Sequence, residues 1–389
     1  MKSAFPDIQE YPFDDHLVLY HGVSEKLVAL NSTGQFIWQN YSKGLGAIDI
    51  ANLLATKFSV SAERALYDVK SCLYNWQQND FLGISKLFDV QPLPEIAENH
   101  ANNISVLPET ILWHSSQCIK LAGKTVKLQF GDSKLHENLS PIFKHLQIAD
   151  NSFFVQRYRI WRKEEHYFIQ LSSKSICSTD SLYEAVGWIF NDIVTKAFSR
   201  NDSIAVLHGG AVKYGDSAII LPGRKGSGKS TLIAALQYDG FEYLSDDVCP
   251  LENNKGQLVP VPMSQRLKSG SWEVLEPLCS SLKNLPVYYM DSKVKFLTPV
   301  TGDHESWNMI WPVSGLIFPQ FQSQAASMIH RIRPLEALRL LMSDESVGFG
   351  CIRSLLSWLE NMPAFVIRYS DLTEARECFA SATEKILSL

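Results

Sequence analysis

The chain has 389 residues, of which 46% are hydrophobic and 20% charged, and its formal net charge is −5. This length predicts two or three domains, and the composition excludes a mainly disordered chain. The weak negative charge argues against a protein that binds nucleic acid or an anionic membrane through a basic surface.

The first segment, residues 1–85, has the pattern of two strands followed by three short helices. Two apolar runs, His16–His21 and Lys26–Leu30, flank a polar turn and predict two strands. Polar side chains then precede a helix that opens near Gln35, and two further runs have apolar residues at helical spacing. This order predicts a winged-helix-like module.

The segment Leu27–Trp38, which reads LVALNSTGQFIW, resembles the PqqD family. That family supplies the peptide-recognition element of pathways that modify ribosomally made peptides. The resemblance spans roughly residues 12–85, and it implies a domain that binds a peptide or small-protein substrate. The alternatives are a generic docking module and a DNA-binding winged helix. Residues 1–90 carry 10 acidic and 7 basic side chains, which favours a peptide over DNA.

The region that follows divides into a linker and a β-rich part. Residues 86–110 contain three prolines and three asparagines, and their apolar residues do not recur with a sustained helical or strand periodicity. This composition predicts a linker. Residues 111–200 are predicted to form a β-rich intermediate region of the catalytic half. Runs that are apolar, or in which apolar and polar residues alternate, continue to about Leu171 and predict strands. A helix with apolar residues along one face is predicted over Ser181–Ala197.

A phosphate-binding loop is the clearest functional motif. Ala218–Pro222 predicts a buried strand, Gly223–Thr231 reads GRKGSGKST, and an apolar helix opens at Leu232. This is G-x-x-x-x-G-K-[ST] between a strand and a helix, as its chemistry requires. Backbone N–H groups can surround the phosphates, Lys229 can bridge the β- and γ-phosphates, and Ser230 can ligate Mg²⁺. We therefore predict that the chain binds ATP and Mg²⁺.

The predicted nucleotide-binding residues are the members of this loop: Gly223, Arg224, Lys225, Gly226, Ser227, Gly228, Lys229, Ser230 and Thr231.

Two further features lie close to the loop in sequence. Asp246 and Asp247 end the next predicted strand, where adjacent side chains point to opposite faces. One carboxylate could therefore face the metal and the other an acceptor hydroxyl, although a solvated Asp-Asp turn is the alternative. His208 precedes two glycines in a hairpin before the loop, and it is a candidate contact for the γ-phosphate or an aspartate. The alternative for a lone histidine is a structural role.

Together, LHGGAV at residues 207–212, the loop and GFEYLSDDV at residues 240–248 resemble the catalytic core of the HPr serine kinase family. That family shares its core with ATP-type phosphoenolpyruvate carboxykinases. The resemblance implies an α/β P-loop catalytic domain over residues 201–389. It implies that Asp246 is the general base and Asp247 the metal-supporting carboxylate, with His208 and Lys229 also catalytic. It further implies a homo-oligomer, for which the sequence indicates no interface.

The sequence departs from that family downstream of the acidic pair. The family's glycine-rich signature loop is missing, and the segment Pro262–Ser271 instead looks like the divergent HPr-kinase-like proteins encoded beside peptide-modification genes, including lasso-peptide kinases. HPr is therefore not the expected substrate, and phosphorolysis is not expected either. Arg266 and Lys268 could clamp the charge of the transferring phosphate, or they could form a basic surface turn.

These observations combine into one leading hypothesis. The N-terminal module captures a peptide or small protein, and the C-terminal domain transfers the γ-phosphate of ATP to a serine or threonine hydroxyl. One alternative keeps the kinase chemistry but takes a small hydroxylated metabolite as acceptor. The other is a regulatory protein that uses the nucleotide as a switch without phosphotransfer.

Cysteine usage and hydropathy bear on the cellular compartment. The seven cysteines are scattered without a C-x-x-C pair, which argues against a disulfide framework or a zinc site. The N-terminus lacks the apolar segment of a secretory signal, and no run reaches the ~18 apolar residues of a membrane span. The sequence therefore predicts a cytoplasmic protein.

Overall fold

The computed structural model describes residues 5–79, 81, 112–121, 123–149, 154, 156–171, 176–198, 203–289, 293–343 and 348–389. The chain divides into two compact units, Met1–Pro92 and Leu93–Leu389. The predicted linker at residues 86–110 lies outside the described residues. No helix within the described ranges is long and apolar enough to cross a membrane.

The N-terminal unit is a three-stranded antiparallel sheet followed by three helices. Its elements are β1 Ile8–Phe13, β2 His16–His21, β3 Lys26–Leu30, α1 Ser32–Tyr41, α2 Ala47–Phe58 and α3 Ala62–Gln78. The side chain of Asn31 accepts a hydrogen bond from the Gly34 amide at 2.9 Å and caps α1. The core is built around Trp38, which is 1% exposed and packs edge-on against Trp76.

The predicted strands and helices of this unit are confirmed, and β1 is an additional strand. Its sequence IQEYPF mixes polar residues with a proline, which hides the strand pattern. β1 pairs only with β2 among the described strands, and an edge position tolerates proline.

The C-terminal unit is a mixed α/β assembly. Its strands are β4 Ser115–Leu121, β5 Lys124–Phe130, β6 Gln147–Ile148, β7 Gln156–Lys163, β8 His166–Gln170, β9 Ile176–Thr179, β10 Ser203–Leu207, β11 Gly209–Tyr214, β12 Ser217–Pro222, β13 Glu242–Ser245, β14 Cys249–Glu252, β15 Gln265–Lys268, β16 Tyr288–Tyr289, β17 Lys293–Leu297, β18 Val313–Phe321, β19 Met328–Ile332, β20 Gly348–Phe349 and β21 Ala364–Tyr369. Its helices are α4 Ser133–Phe143, α5 Leu182–Ala197, α6 Lys229–Leu236, α7 Trp272–Leu275, α8 Pro334–Met342, α9 Ile352–Glu360 and α10 Leu372–Leu387.

The β-rich region forms a six-stranded sheet in the order β6-β4-β5-β7-β8-β9. Its strands and helix α5 confirm the predicted pattern. Helix α4 is not predicted, because Pro141 lies inside it and interrupts the helical pattern of the sequence. Asp132 caps α4 by accepting a hydrogen bond from the Leu135 amide at 2.9 Å.

The central sheet positions the phosphate-binding loop. Its order is β13-β11-β12-β18-β21-β19, and β12, β18 and β21 run parallel to one another. Helices α6 and α10 contribute to the apolar core against this sheet, with Phe379 and Leu232 fully buried. The loop connects β12 to α6 at the carboxyl end of the parallel strands, where open α/β sheets bind their ligands. The predicted α/β architecture of this core is confirmed.

Candidate functional site

The phosphate-binding loop has backbone geometry that requires glycine. Gly226 and Gly228 have φ angles of 89° and 91°, in the left-handed region that side-chain-bearing residues rarely adopt. A Cβ atom at Gly228 would also collide with the hydroxyl of Tyr369. The loop is therefore shaped so that its backbone can approach a ligand closely.

Residues at the ends of β18 and β21 form hydrogen bonds to the loop. The carbonyl oxygen of Ser227 accepts hydrogen bonds from the Phe321 amide at 3.3 Å and from the Tyr369 hydroxyl at 2.9 Å. Both donors lie at the carboxyl ends of their strands. Burial raises the pKa of the Tyr369 hydroxyl well above its usual value, so this donor keeps its proton.

The side chain of Lys229 in the loop contacts the side chain of His208, which directly precedes β11. Lys229 is 6% exposed, and its Nζ lies 3.3 Å from Nε2 of His208 and also donates to the carbonyl oxygen of Gly223. The other ring nitrogen, Nδ1 of His208, lies 3.0 Å from the carbonyl oxygen of Asp247. Because a carbonyl only accepts, Nδ1 carries the proton and Nε2 is left to accept from the lysine. His208 therefore connects the loop to the acidic pair.

Asp246 faces the loop. The Ser230 hydroxyl donates to its Oδ1 at 3.1 Å, and the Asp247 amide donates to the same oxygen at 3.2 Å. Its Oδ2 is buried and has no hydrogen-bond partner among the described residues. A hydroxyl oxygen and an unpartnered carboxylate oxygen are the hard ligands that Mg²⁺ prefers, so this pair fits the metal.

Asp247 lies on the cleft side of the pair. Its Oδ2 accepts from Nη2 of Arg266 at 3.2 Å, and 32% of its side chain is exposed. Its φ of 73° is unusual for a residue with a side chain and is typical of strained functional positions. Partial burial and then the neighbouring charges of Lys225 and Arg266 lower the pKa of Lys268. The carboxylate of Asp247 thus lies beside a wall of the cleft that carries the cations Lys225, Arg266 and Lys268.

These groups border one cleft of about 850 Å³. The predicted residues that line it are His208, Arg224, Lys225, Gly226, Ser227, Gly228, Lys229, Ser230, Thr231, Asp247, Arg266 and Lys268. Gly223 and Asp246 are not among the lining residues, but Gly223 contacts Lys229 and Asp246 contacts Ser230.

Sequence reasoning missed three residues that support the loop, namely Phe321, Tyr369 and Gln265. Nε2 of Gln265 donates to the Ser230 carbonyl at 3.3 Å, and Gln265 is fully buried. The only sequence signal for Phe321 and Tyr369 is that each ends an apolar run, which places it at a strand terminus. No motif marks Gln265.

Asp246 gives the metal-free protein a characteristic pH dependence. Burial, and next the negative charge of Asp247, raises the pKa of Asp246 to about 7. The protonated side chain of Asp246 therefore stabilises the folded state. This contribution is fully present below the unfolded-state pKa of about 4 and is lost as the pH rises through the folded-state pKa of about 7.

We expect the Asp246→Asn variant to become more stable than the wild type as the pH rises from 4 to 7.5, with a gain of several degrees in Tm. Thermal unfolding of both proteins in EDTA measures the difference, and added Mg²⁺ should reduce it. A pH-independent difference would contradict the shifted pKa.

Comparisons with known proteins match parts of the chain. A model of the PqqD family, described as coenzyme PQQ synthesis protein D, matches residues 16–82, and this segment is a PqqD-type domain. No curated protein matches the chain.

Three solved structures are among those similar to parts of the chain. "Lasso peptide synthetase B1 complexed with the leader peptide" is 27% identical over 19% of this chain and 87% of that chain, with a TM-score of 0.19. "TbiB1 in Complex with the TbiA(beta) Leader Peptide" is 21% identical over 22% and 100%, with a TM-score of 0.20. The Hpr(Ser) kinase/phosphatase from Coxiella burnetii is 11% identical over 46% and 97%, with a TM-score of 0.23.

Proposed function

We propose that the chain is an ATP-dependent kinase that transfers the γ-phosphate to a serine or threonine hydroxyl of a peptide or small protein. One observation carries this proposal: Lys229, His208 and Asp247 line a single cleft around the phosphate-binding loop, and Asp246 contacts the loop residue Ser230. Cations positioned for phosphate and a carboxylate positioned for an acceptor proton are the parts that phosphoryl transfer needs.

The contacts of the two aspartates support a division of roles. Asp246 and Ser230 would hold Mg²⁺, as the loop hydroxyl and a strand-end aspartate do in P-loop enzymes. The metal, when bound, neutralises charge on the β- and γ-phosphates. Asp247 would be the general base, because its carboxylate borders the open cleft. This division reverses the roles that the resemblance to HPr serine kinases implies.

The proposed reaction is a direct in-line transfer. The acceptor O–H proton moves to the carboxylate of Asp247 while the acceptor oxygen forms a bond to the γ-phosphorus. The bond from that phosphorus to the β,γ-bridging oxygen breaks, and ADP leaves. Lys229 stabilises negative charge on the transferring group, and Arg266 and Lys268 add fixed positive charge at the cleft wall. His208 orients Lys229 through its Nε2.

The peptide partner is proposed from the PqqD-type domain at residues 16–82. The two solved structures with leader peptides are those of the lasso peptide synthetase B1 and TbiB1. In this chain, β3 pairs with β2 along one side, and no other described strand pairs along its opposite side. An edge strand of this kind can take up an extended peptide as an additional strand. We further propose a cytoplasmic location, where ATP and a ribosomal peptide meet.

Deletion of residues 1–85 tests the role of this domain. We expect kcat/KM for a peptide substrate to fall about 10²-fold, because tethered capture raises the local substrate concentration at the cleft. Nucleotide affinity should remain unchanged, because the P-loop belongs to the other compact unit. Transfer from γ-labelled ATP to synthetic serine and threonine peptides, located by mass spectrometry, provides the measurement.

The same assay separates the alternatives. Unchanged peptide transfer by the truncated protein would contradict capture by the N-terminal domain and would favour a small-molecule acceptor. Steady ATP turnover by the full chain without any labelled acceptor would instead favour a nucleotide-dependent switch.

A further inference from the structure

The phosphate-binding loop has two chemically different flanks. On the side of β11 and β13 lie His208 and the acidic pair, which contact Lys229 and Ser230. On the other side lie the ends of β18 and β21, because the sheet order is β13-β11-β12-β18-β21. The reacting γ-phosphate belongs on the first flank, next to the candidate base. The α-phosphate and the nucleoside must then leave the loop toward the second flank.

Phe321 presents an aromatic surface on that second flank. It lines the cleft, and 52% of it is exposed although its amide holds the loop at Ser227. Its ring lies 6.0 Å from the ring of Tyr369 at an interplanar angle of 55°, whereas Tyr369 itself is only 3% exposed. Leu372 adds an apolar side chain to the same wall. A flat aromatic ring beside a phosphate site is a surface on which nucleobases stack.

The side chains of Ser370 and Asp371 on this flank each have a hydrogen-bond partner in α10. The Ser370 hydroxyl donates to Oε2 of Glu374 at 3.1 Å. Oδ1 of Asp371 accepts from the Glu374 amide at 2.9 Å and caps α10. Among the described residues that line this flank, the surface that remains for a nucleobase is therefore mainly the ring of Phe321 and the side chain of Leu372.

We propose that the purine base of the nucleotide stacks on the ring of Phe321, with Leu372 beside it, an inference that rests on the proposed binding of ATP at the loop. Phe321 is thus a nucleobase-binding residue at a position that no motif marks. Its backbone and its side chain have separate tasks: the amide supports the loop, and the ring binds the base.

Calorimetric titration of the full chain with ADP and with tripolyphosphate, both with Mg²⁺, tests this. The Phe321→Ala variant should bind ADP about tenfold more weakly, which corresponds to ~1.4 kcal/mol, within the range of stacking on one aromatic ring. Its affinity for tripolyphosphate, which has no base, should stay within about twofold of the wild type. Phe321→Trp should restore ADP binding to within about threefold, because tryptophan also offers a flat ring.

Two controls separate this inference from the function that it rests on. Tyr214→Ala removes another exposed aromatic side chain, at the far end of β11 from the loop, and should change neither affinity. Lys229→Ala should weaken both ligands, and if it weakens neither, nucleotide binding at the loop itself is wrong. If Phe321→Ala leaves ADP binding unchanged, or weakens ADP and tripolyphosphate equally, the stacking assignment is overturned while the loop assignment stands.

Discussion

Replacing Lys229 by alanine should lower the rate of phosphoryl transfer by about 10³-fold. Lys229 is 6% exposed at the start of α6, and its ammonium group contacts His208 and the Gly223 carbonyl. A preorganised charge in such a water-poor site stabilises the transition state far more than a solvated charge does, and removal of one comparable donor costs 10²–10³-fold or more. Transfer from γ-labelled ATP under single-turnover conditions measures the loss.

The chain offers a matched lysine as control. Lys213 lies on β11, donates to Glu242 at 2.7 Å and lies over the ring of Trp311. Lys213→Ala should retain the transfer rate, and both variants should show native circular dichroism. Full activity of Lys229→Ala would exclude the loop as the site of phosphoryl transfer.

The two aspartates should respond differently to the same isosteric change. Asp247→Asn should lower kcat by about 10²–10⁴-fold, the range for loss of a general base, with little change in the Mg²⁺ concentration that gives half-maximal rate. Asp246→Asn should raise that concentration, because an amide is a weaker ligand for Mg²⁺ than a carboxylate beside Ser230. Rate profiles against Mg²⁺ at saturating ATP distinguish the two.

The reverse outcome has a specific meaning. If Asp246→Asn eliminates transfer at all Mg²⁺ concentrations and Asp247→Asn only shifts the metal requirement, then Asp246 is the base. The resemblance to HPr serine kinases would then be the better guide than the contact with Ser230.

The local part of the site could be predicted from sequence because each of its signals lies within one short segment. The P-loop has fixed spacing, and the acidic pair directly follows a strand-like run. The contacts between these segments could not be predicted. Alternation along a strand indicates that Asp246 and Asp247 face opposite ways, but it does not say which one meets Ser230. Both aspartates lie just beyond β13, which ends at Ser245, and Asp247 has a left-handed backbone that no local pattern requires.

The fold follows the same rule. Helices α1, α2 and α3 can be predicted because apolar residues recur at helical spacing in each of them, and the polar side chains of Asn31 and Ser61 cap α1 and α3. The missed elements, β1 and α4, each contain a proline that is tolerated by an edge strand or a last helical turn. The tyrosine that holds the loop, Tyr369, is 142 positions from Ser227, and only tertiary structure brings the two together.

The two hydrogen bonds to the Ser227 carbonyl have a consequence for the thermodynamics of the proposed nucleotide binding. They come from the Phe321 amide and the Tyr369 hydroxyl, neither of which needs a ligand to be in place. Fixing a flexible residue costs about 1–2 kcal/mol of conformational entropy, and a loop that is already fixed avoids that cost at the moment of association. The free energy of phosphate contacts can then appear directly as affinity, and folding of the central sheet supplies the ordering in advance.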